Sequence, residues 1–304
     1  MPIVSTSTSA FYDRSTMDIA DLRKRAEGLQ ADLSRGQRIS RSSDDPVGAS
    51  RLRQLQRAES LSQIDITNAA KATSDLQLTD GALSSLADYV IRLQELTTQA
   101  ASGTMTGSIR AGIGTEIEAI RNNIIQLANS RDSAGNALFG GQSSGAAYTV
   151  DSAGNASYQG TATAGDLPLG DGQNVTRALT GPEVFGTTGG PNDLLAQLKT
   201  LADALKAGGA GAQQAAQDGL TALSQSLDTI TTAQTVVGSR LSWIDLTTER
   251  RTNLSELRAQ EESDVGGTDI AATVAKLQET MTVLEASQAS FTKLAGLSLF
   301  RLLN

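Results

Sequence analysis

The residues in this sequence that could carry acid–base or metal chemistry are carboxylates set side by side. Asp44 adjoins Asp45, and Glu261 adjoins Glu262 with Asp264 close behind. Such pairs share a proton or hold a divalent cation only where further ligands converge on them. The chain has no histidine and no cysteine, which removes the commonest zinc ligands, thiolate nucleophiles, haem ligation and disulfides together. Asp44-Asp45 stands directly before Pro46, where a side-chain oxygen satisfies free N–H groups at a helix start. Glu261, Glu262 and Asp264 lead into Gly266-Gly267 and suit a solvated turn. Gly140-Gly141-Gln142-Ser143-Ser144-Gly145 has the glycines of a phosphate cradle but lacks the following Lys-Ser/Thr. Asn155, Asn174 and Asn253 each open an Asn-X-Ser/Thr triplet, which means little without a secretory signal. The sequence therefore predicts no catalytic, cofactor or metal site, and it assigns Asp45 and Pro46 to a helix cap.

Composition narrows the function classes further. A net charge of −8 and the lack of a Lys/Arg cluster argue against nucleic acid. Arg23-Lys24-Arg25 is followed at once by Glu27 and reads as a solvated helix face. Met1 to Thr16 show neither a basic n-region nor an apolar h-region, so no conventional signal peptide is expected. No run of 18 apolar residues exists, so no membrane-spanning helix is expected. Aromatics are 3% of residues, with Trp243 the one tryptophan; small aliphatic side chains fill helix seams better than a thick globular centre.

The elements that must position these residues are long amphipathic helices. Apolar residues alternate by three and four in several stretches: Ile19, Leu22, Ala26, Leu29 and Leu33; Leu76, Leu83, Leu86, Val90 and Leu93; Ile109, Ile113, Ile117, Ile120, Ile124 and Leu127. The pattern returns at Leu220, Leu223, Leu227, Ile230, Val237, Leu241 and Ile244, and again at Ile270, Val274, Leu277, Met281, Leu284 and Phe291. Heptads of this kind place one apolar stripe on each helix and demand partner helices. Gly36 marks a helix end, and from Pro46 to about Ala101 no proline interrupts, so one helix of about 80 Å is expected there. Ser102-Gly103-Thr104 turns it back into an antiparallel third helix.

Between Ser133 and Asn192 the character changes to Gly, Ser, Thr, Asp, Asn and three prolines. Tyr148–Val150 and Ala156–Tyr158 flank a five-residue loop and predict a hairpin; Leu167–Leu169 and Val175–Leu179 around Gly170-Asp171-Gly172 predict a second. Asn192 or Asp193 then caps a return to helix. The expected fold class is mainly α: a long antiparallel helical rod, coiled-coil-like at its termini, with a small β-rich insertion at mid-chain. The expected domains are 1–35 with 270–304 as a terminal assembly domain, 36–132 with 193–269 as a helical rod, and 133–192 as the insertion.

Several stretches converge on one family. Gln30-Ala31-Asp32-Leu33-Ser34-Arg35-Gly36-Gln37-Arg38-Ile39, followed by Ser42 to Val47, resembles the N-terminal signature of flagellin-like proteins. Ile91 to Ala100, Glu116-Ile117 and Gln126-Leu127-Ala128-Asn129 continue the likeness, and Leu284 to Phe291 with Leu297 to Phe300 resemble the family's C-terminal region. Asp45-Pro46, Ala137-Leu138-Phe139-Gly140-Gly141 and Gly181-Pro182-Glu183-Val184-Phe185-Gly186 are similar to the branch that forms the hook–filament junction. The ending Arg301-Leu302-Leu303-Asn304 is closer to filament flagellins, which stay open as the alternative.

The resemblance implies a non-enzymatic, secreted subunit of the bacterial flagellum, exported through the flagellar type III route and located outside the cell. Its implied partners are copies of itself in the axial assembly, a neighbouring hook-associated protein, flagellin, and a type III export chaperone. Arg92, Leu96 and Glu116 align with the flagellin surface read by the innate flagellin receptor, but an ordinary helix-packing face is the favoured account of them. The implied assembly interface is Ile19, Leu22, Leu29 and Leu33 with Ile270, Val274, Leu277, Met281, Leu284 and Phe291. A carbohydrate-binding surface protein and a cytoplasmic coiled-coil adaptor are the readings from other classes; few aromatics and no spaced carboxylate pair in the insertion weaken the first.

Overall fold

The computed structural model describes residues 3–132, 134–209 and 211–302. Its elements are α1 (Ile3–Arg35), α2 (Pro46–Ala101), α3 (Gly107–Ala128), β1 (Tyr148–Val150), β2 (Ala156–Tyr158), β3 (Asp166–Gly170), β4 (Gln173–Thr176), α4 (Gly181–Phe185), α5 (Leu194–Ala207), α6 (Ala212–Gly266) and α7 (Ile270–Leu302). The chain is mainly α, with its strands confined to a small insertion at mid-chain. It divides into two compact units, Met1–Ser60 with Leu254–Asn304, and Leu61–Asn253. Met1, Pro2, Leu303 and Asn304 of the expected terminal domain lie outside the described residues, as does Ser133 at the start of the expected insertion.

In the 61–253 unit, heptad spacing fixes the helix faces. On α2 the buried residues Ser62, Ala69, Leu76, Leu83, Val90 and Thr97 recur at every seventh position, interleaved with Ala72, Thr79, Leu86, Leu93 and Ala100. On α6 the same recurrence runs through Ala216, Leu223, Ile230, Val237, Ile244 and Arg251. Such a row keeps one side of a helix against its partner. The partner course is antiparallel: Gln234 donates to Ser84 at 3.4 Å, and Arg251 meets Asp65 at 2.9 Å. The threonine hydroxyls inside the seam are satisfied locally, whereas the buried Ser62 hydroxyl has no hydrogen-bond partner. Thr79 donates to the Asp75 carbonyl at 2.8 Å and Thr97 to the Leu93 carbonyl at 2.6 Å, so neither leaves an orphan polar atom in the core.

Helix α3 folds back along α2, with Arg110 donating to the Ala100 carbonyl at 2.9 Å, and packs on α5. Gly114 permits that approach, because a Cβ there would stand 2.8 Å from the Ala202 carbonyl oxygen. Asp193 caps α5 through the Ala196 N–H at 3.0 Å, and Gly208 ends it in the left-handed conformation.

The insertion holds two antiparallel hairpins, the first where expected and the second with its return strand at Gln173–Thr176, ending short of the expected Leu179. Tyr148 pairs with Tyr158 and Val150 with Ala156; Asp166 pairs with Thr176. One sequence, Asp-Ser-Ala-Gly-Asn, occurs at both 132–136 and 151–155, and its first and last residues join by the same hydrogen bond in both copies. Asp132 accepts from the Asn136 N–H and Asp151 from the Asn155 N–H, each at 2.8 Å. The two motifs that resemble the junction branch meet here. Phe139 and Phe185 pack edge to face with centroids 5.4 Å apart, Tyr148 joins Phe185 at 5.5 Å, and Gly181 N–H donates to the Phe139 carbonyl at 2.8 Å. Asn129, at the end of α3, pins β1 by exchanging two 2.9 Å hydrogen bonds with the Tyr148 backbone.

Candidate functional site

In the terminal unit the two helix interruptions meet. The link from α1 to α2 and the link from α6 to α7 run antiparallel: Arg38 N–H donates to Gly266 O at 2.8 Å, and Thr268 N–H donates to Gly36 O at 3.1 Å. Gly36 adopts φ 67°, which lets α1 stop and the chain turn. Both expected carboxylates of this link are committed to backbone. Asp44 accepts from the Arg41 N–H at 2.7 Å, and Asp45 accepts from the Gly48 N–H at 2.9 Å just as α2 begins on Pro46. These N–H donors, with Arg38 also on Asp45, hold both carboxyls below the usual range. Glu261 lies within α6 rather than in a turn and takes a 2.9 Å hydrogen bond from Arg51 Nη2. No group of three or more acidic residues able to hold a metal occurs among the described residues.

Helices α1 and α7 pack on each other. Ala26 is buried on α1, and Ile19, Leu22, Leu29 and Leu33 are partly buried beside it. On α7, Leu284 and Thr280 are buried and Val274, Leu277 and Phe291 are partly buried. Tyr12 closes the seam, its ring edge-on to Phe291 at 5.6 Å and its hydroxyl on the Leu294 carbonyl at 3.3 Å. Ile19 and Phe291 line one shallow depression between the two helices.

Ile270 and Met281 part from this group. They are 64% and 43% exposed, and Thr280 occupies the seam where the periodicity had placed Met281. A single partner helix covers only a narrow strip, so residues at its margin stay open. The terminal unit also exposes Phe11 (49%), Met17 (67%) and Leu294 (46%). Phe11 and Met17 precede Ile19, where the sequence reading began the α1 seam, and Leu294 follows Phe291, where it ended the α7 seam.

Of the three receptor-aligned residues, Leu96 is buried, while Arg92 and Glu116 are exposed and joined at 2.9 Å, with Glu95 also on Arg92 at 3.0 Å. The loop 140–145 is likewise occupied: Gly140 O accepts from Thr161 N–H at 3.1 Å and Gln142 N–H donates to the Thr161 hydroxyl at 2.8 Å. No helix among the described residues is long and apolar enough to cross a membrane.

Comparison with known proteins gives four findings. A family model of the bacterial flagellin N-terminal helical region matches residues 4–144. Flagellar hook-associated protein 3 of Escherichia coli (strain K12) is 24% identical, over 97% of this chain and 98% of its own length. Flagellin B of Vibrio anguillarum is 26% identical, over 61% of this chain and only 47% of its own length. In fold, the chain is similar to a solved structure described as a flagellar hook-associated protein from Vibrio parahaemolyticus, with a TM-score of 0.68, 22% identity, and coverage of 74% of this chain and 100% of that one.

Proposed function

We propose that this flagellin-like chain is the structural subunit that joins the flagellar hook to its filament. It does so by packing, without catalysis: copies assemble axially between a hook-associated protein on one side and flagellin on the other. The observation that carries this reading is the terminal helix pair. Helices α1 and α7 bury one seam in each other and leave Phe11, Met17, Ile270, Met281 and Leu294 exposed, apolar side chains that a neighbouring subunit would cover. The assembly interface is accordingly assigned to the terminal helices, with Ile270 and Met281 facing neighbours. End-to-end similarity to a hook-associated protein 3, against partial similarity to a flagellin, favours the junction over the filament.

Export by the type III route outside the cell follows from that role, with a chaperone covering the same apolar residues until assembly. Immunogold labelling of intact flagella tests the function. A single band at the hook–filament boundary is expected; continuous labelling along the filament would make the chain a flagellin, and no flagellar label would reject both.

A further inference from the structure

A groove runs along one face of α6 in the 61–253 unit. It consists of three adjoining depressions of about 340, 200 and 420 Å³, the first two sharing Gln197 and Ala222 and the last two sharing Thr229. Its floor on α6 passes from Ala215 through Gly219, Ala222, Ser226 and Ala233 to Val236, a track of about 30 Å at the rise of an α-helix. Glu183, Asp193, Asp218 and Asp228 stand along it, and no lysine or arginine lines any part. Glu183 is engaged in capping α4 and Asp218 receives Gln214 at 2.9 Å, whereas Asp228 stands in no salt bridge among the described residues. Gln197 Oε1 is buried there without a hydrogen-bond partner.

A track floored by alanine, glycine and serine accepts bulky side chains from a helix laid into it, and an acidic rim favours cations on that helix. The chain itself presents such a face. On α2, Ile64, Lys71 and Leu78 follow one another at seven-residue spacing with Leu61 alongside. Leu61, Ile64 and Leu78 are 55%, 57% and 42% exposed, and the exposed Lys71 is in no salt bridge among the described residues. Leu61 to Leu78 spans about 26 Å, close to the length of the groove. Bulk meets small residues, cation meets anion, and the lengths agree.

We propose that the α6 groove of one subunit receives the outer face of α2 from a second copy of this chain. The proposal rests on the reading of the chain as an assembling subunit and names a contact within that assembly.

Because the chain contains no cysteine, single introduced thiols report the contact cleanly. Two differently tagged copies are co-expressed in flagellated cells, one carrying Leu61→Cys, Ile64→Cys or Leu78→Cys, the other Ala222→Cys or Thr229→Cys. Isolated flagella are then treated with a short bis-maleimide. We expect mixed dimers bearing both tags in at least one pairing, several-fold above a control that places the second thiol at Val150. In addition, Asp228→Lys should reduce incorporation several-fold, and adding Lys71→Asp in the same chain should restore it. Mixed dimers at control level in flagella containing both copies would overturn the groove contact while leaving the subunit role standing. Cross-links from the groove only to a different flagellar protein would overturn the choice of occupant. Folded protein that never reaches the flagellum would overturn the subunit role and the contact together.

Discussion

Leu284 and Met281 lie one turn apart on α7 but face different surroundings, and exchanging their side chains separates folding from assembly. Leu284 is 7% exposed and Met281 43%. Leu284→Ala removes buried methyl groups from the α1–α7 seam and should cost about 2 kcal/mol, the low end for a core leucine because only one helix faces it. Met281→Asp changes an open position and should move monomer stability by no more than about 0.5 kcal/mol. If Met281 is covered by a neighbour in the assembled junction, the new carboxylate is buried unpaired there, at a cost of about 3 kcal/mol. That lowers each subunit contact roughly 150-fold, and the loss recurs at every subunit. Thermal melts of the purified monomer by circular dichroism, alongside electron microscopy and swimming assays of complemented cells, read the two effects independently. Met281→Asp should melt with the wild type yet yield hooks without filaments and secreted subunit in the medium. Leu284→Asp, by contrast, should lower the melt as well, since its site lies inside the chain's own seam. Lys276→Asp, a change of polar residue on the same helix, should be mild in both assays. Normal junctions built from Met281→Asp protein, or a melt lowered as far as that of Leu284→Ala, would refute the assignment of Met281 to an intersubunit face.

Phe139→Ala should destabilise the 61–253 unit by about 3–5 kcal/mol, because Phe139 is 1% exposed and packed edge to face on Phe185; chemical denaturation followed by tyrosine fluorescence checks it. Arg251→Ala strands Asp65 beneath the β3–β4 hairpin and should cost about 3–5 kcal/mol, with the double variant Arg251→Leu/Asp65→Leu recovering much of the loss. The Asp151 carboxyl, held below its ordinary value of 3.8 by the Asn155 N–H and amide, stabilises the β1–β2 turn fully above that value and ceases to as pH falls through the lowered one. An NMR acid titration of the Asn155 amide should therefore show a midpoint below 3.8, and a midpoint at or above it counts against the turn. Amide exchange on the monomer should be faster at Leu29 and Leu284 than at Leu83 and Ile117, and equal protection would show that the ends are held without neighbours.

Local features were legible in the sequence wherever one residue decides the backbone. The five-residue loop at Asp151–Asn155 fixed the first hairpin to the residue, and Asp45-Pro46 placed the start of α2. The long heptads gave the helices because their period is read within a single element. Contacts between distant segments were not legible. Nothing in Gly36 to Arg38 announces that its partners are Gly266 and Thr268, and nothing in Phe139 announces Phe185, since pairing across such separations is set by the packing of whole helices. The exchange of Met281 for Thr280 in the α7 seam has a similar origin. Both positions satisfy the periodicity, and only the placement of α1 decides between them. Glu261 was drawn toward a turn by the nearby glycines, but its bond to Arg51 belongs to a helix that continues to Gly266.

The uneven burial of the two units bears directly on how such a subunit could work. In the 61–253 unit the α2 seam holds Leu76, Leu83, Val90 and Leu93 at 0% exposure. In the terminal unit, the apolar residues of α1 are for the most part only partly buried. Apolar stabilisation scales with area removed from water, about 25 cal/mol per Å², so the terminal pair is the less secured and opens first. A neighbour that covers Met281 and Ile270 binds the ordered pair and not the opened one. Present at a hundred times its dissociation constant, it adds about 2.7 kcal/mol to that order. Under the proposed function the ordering of the ends is thus completed by the assembly, while the seam between α2 and α6 is already buried in the monomer. A subunit secured equally along its length would gain nothing of this kind from its neighbours, and its terminal helices would have no reason to keep Phe11, Met17 and Ile270 in the open.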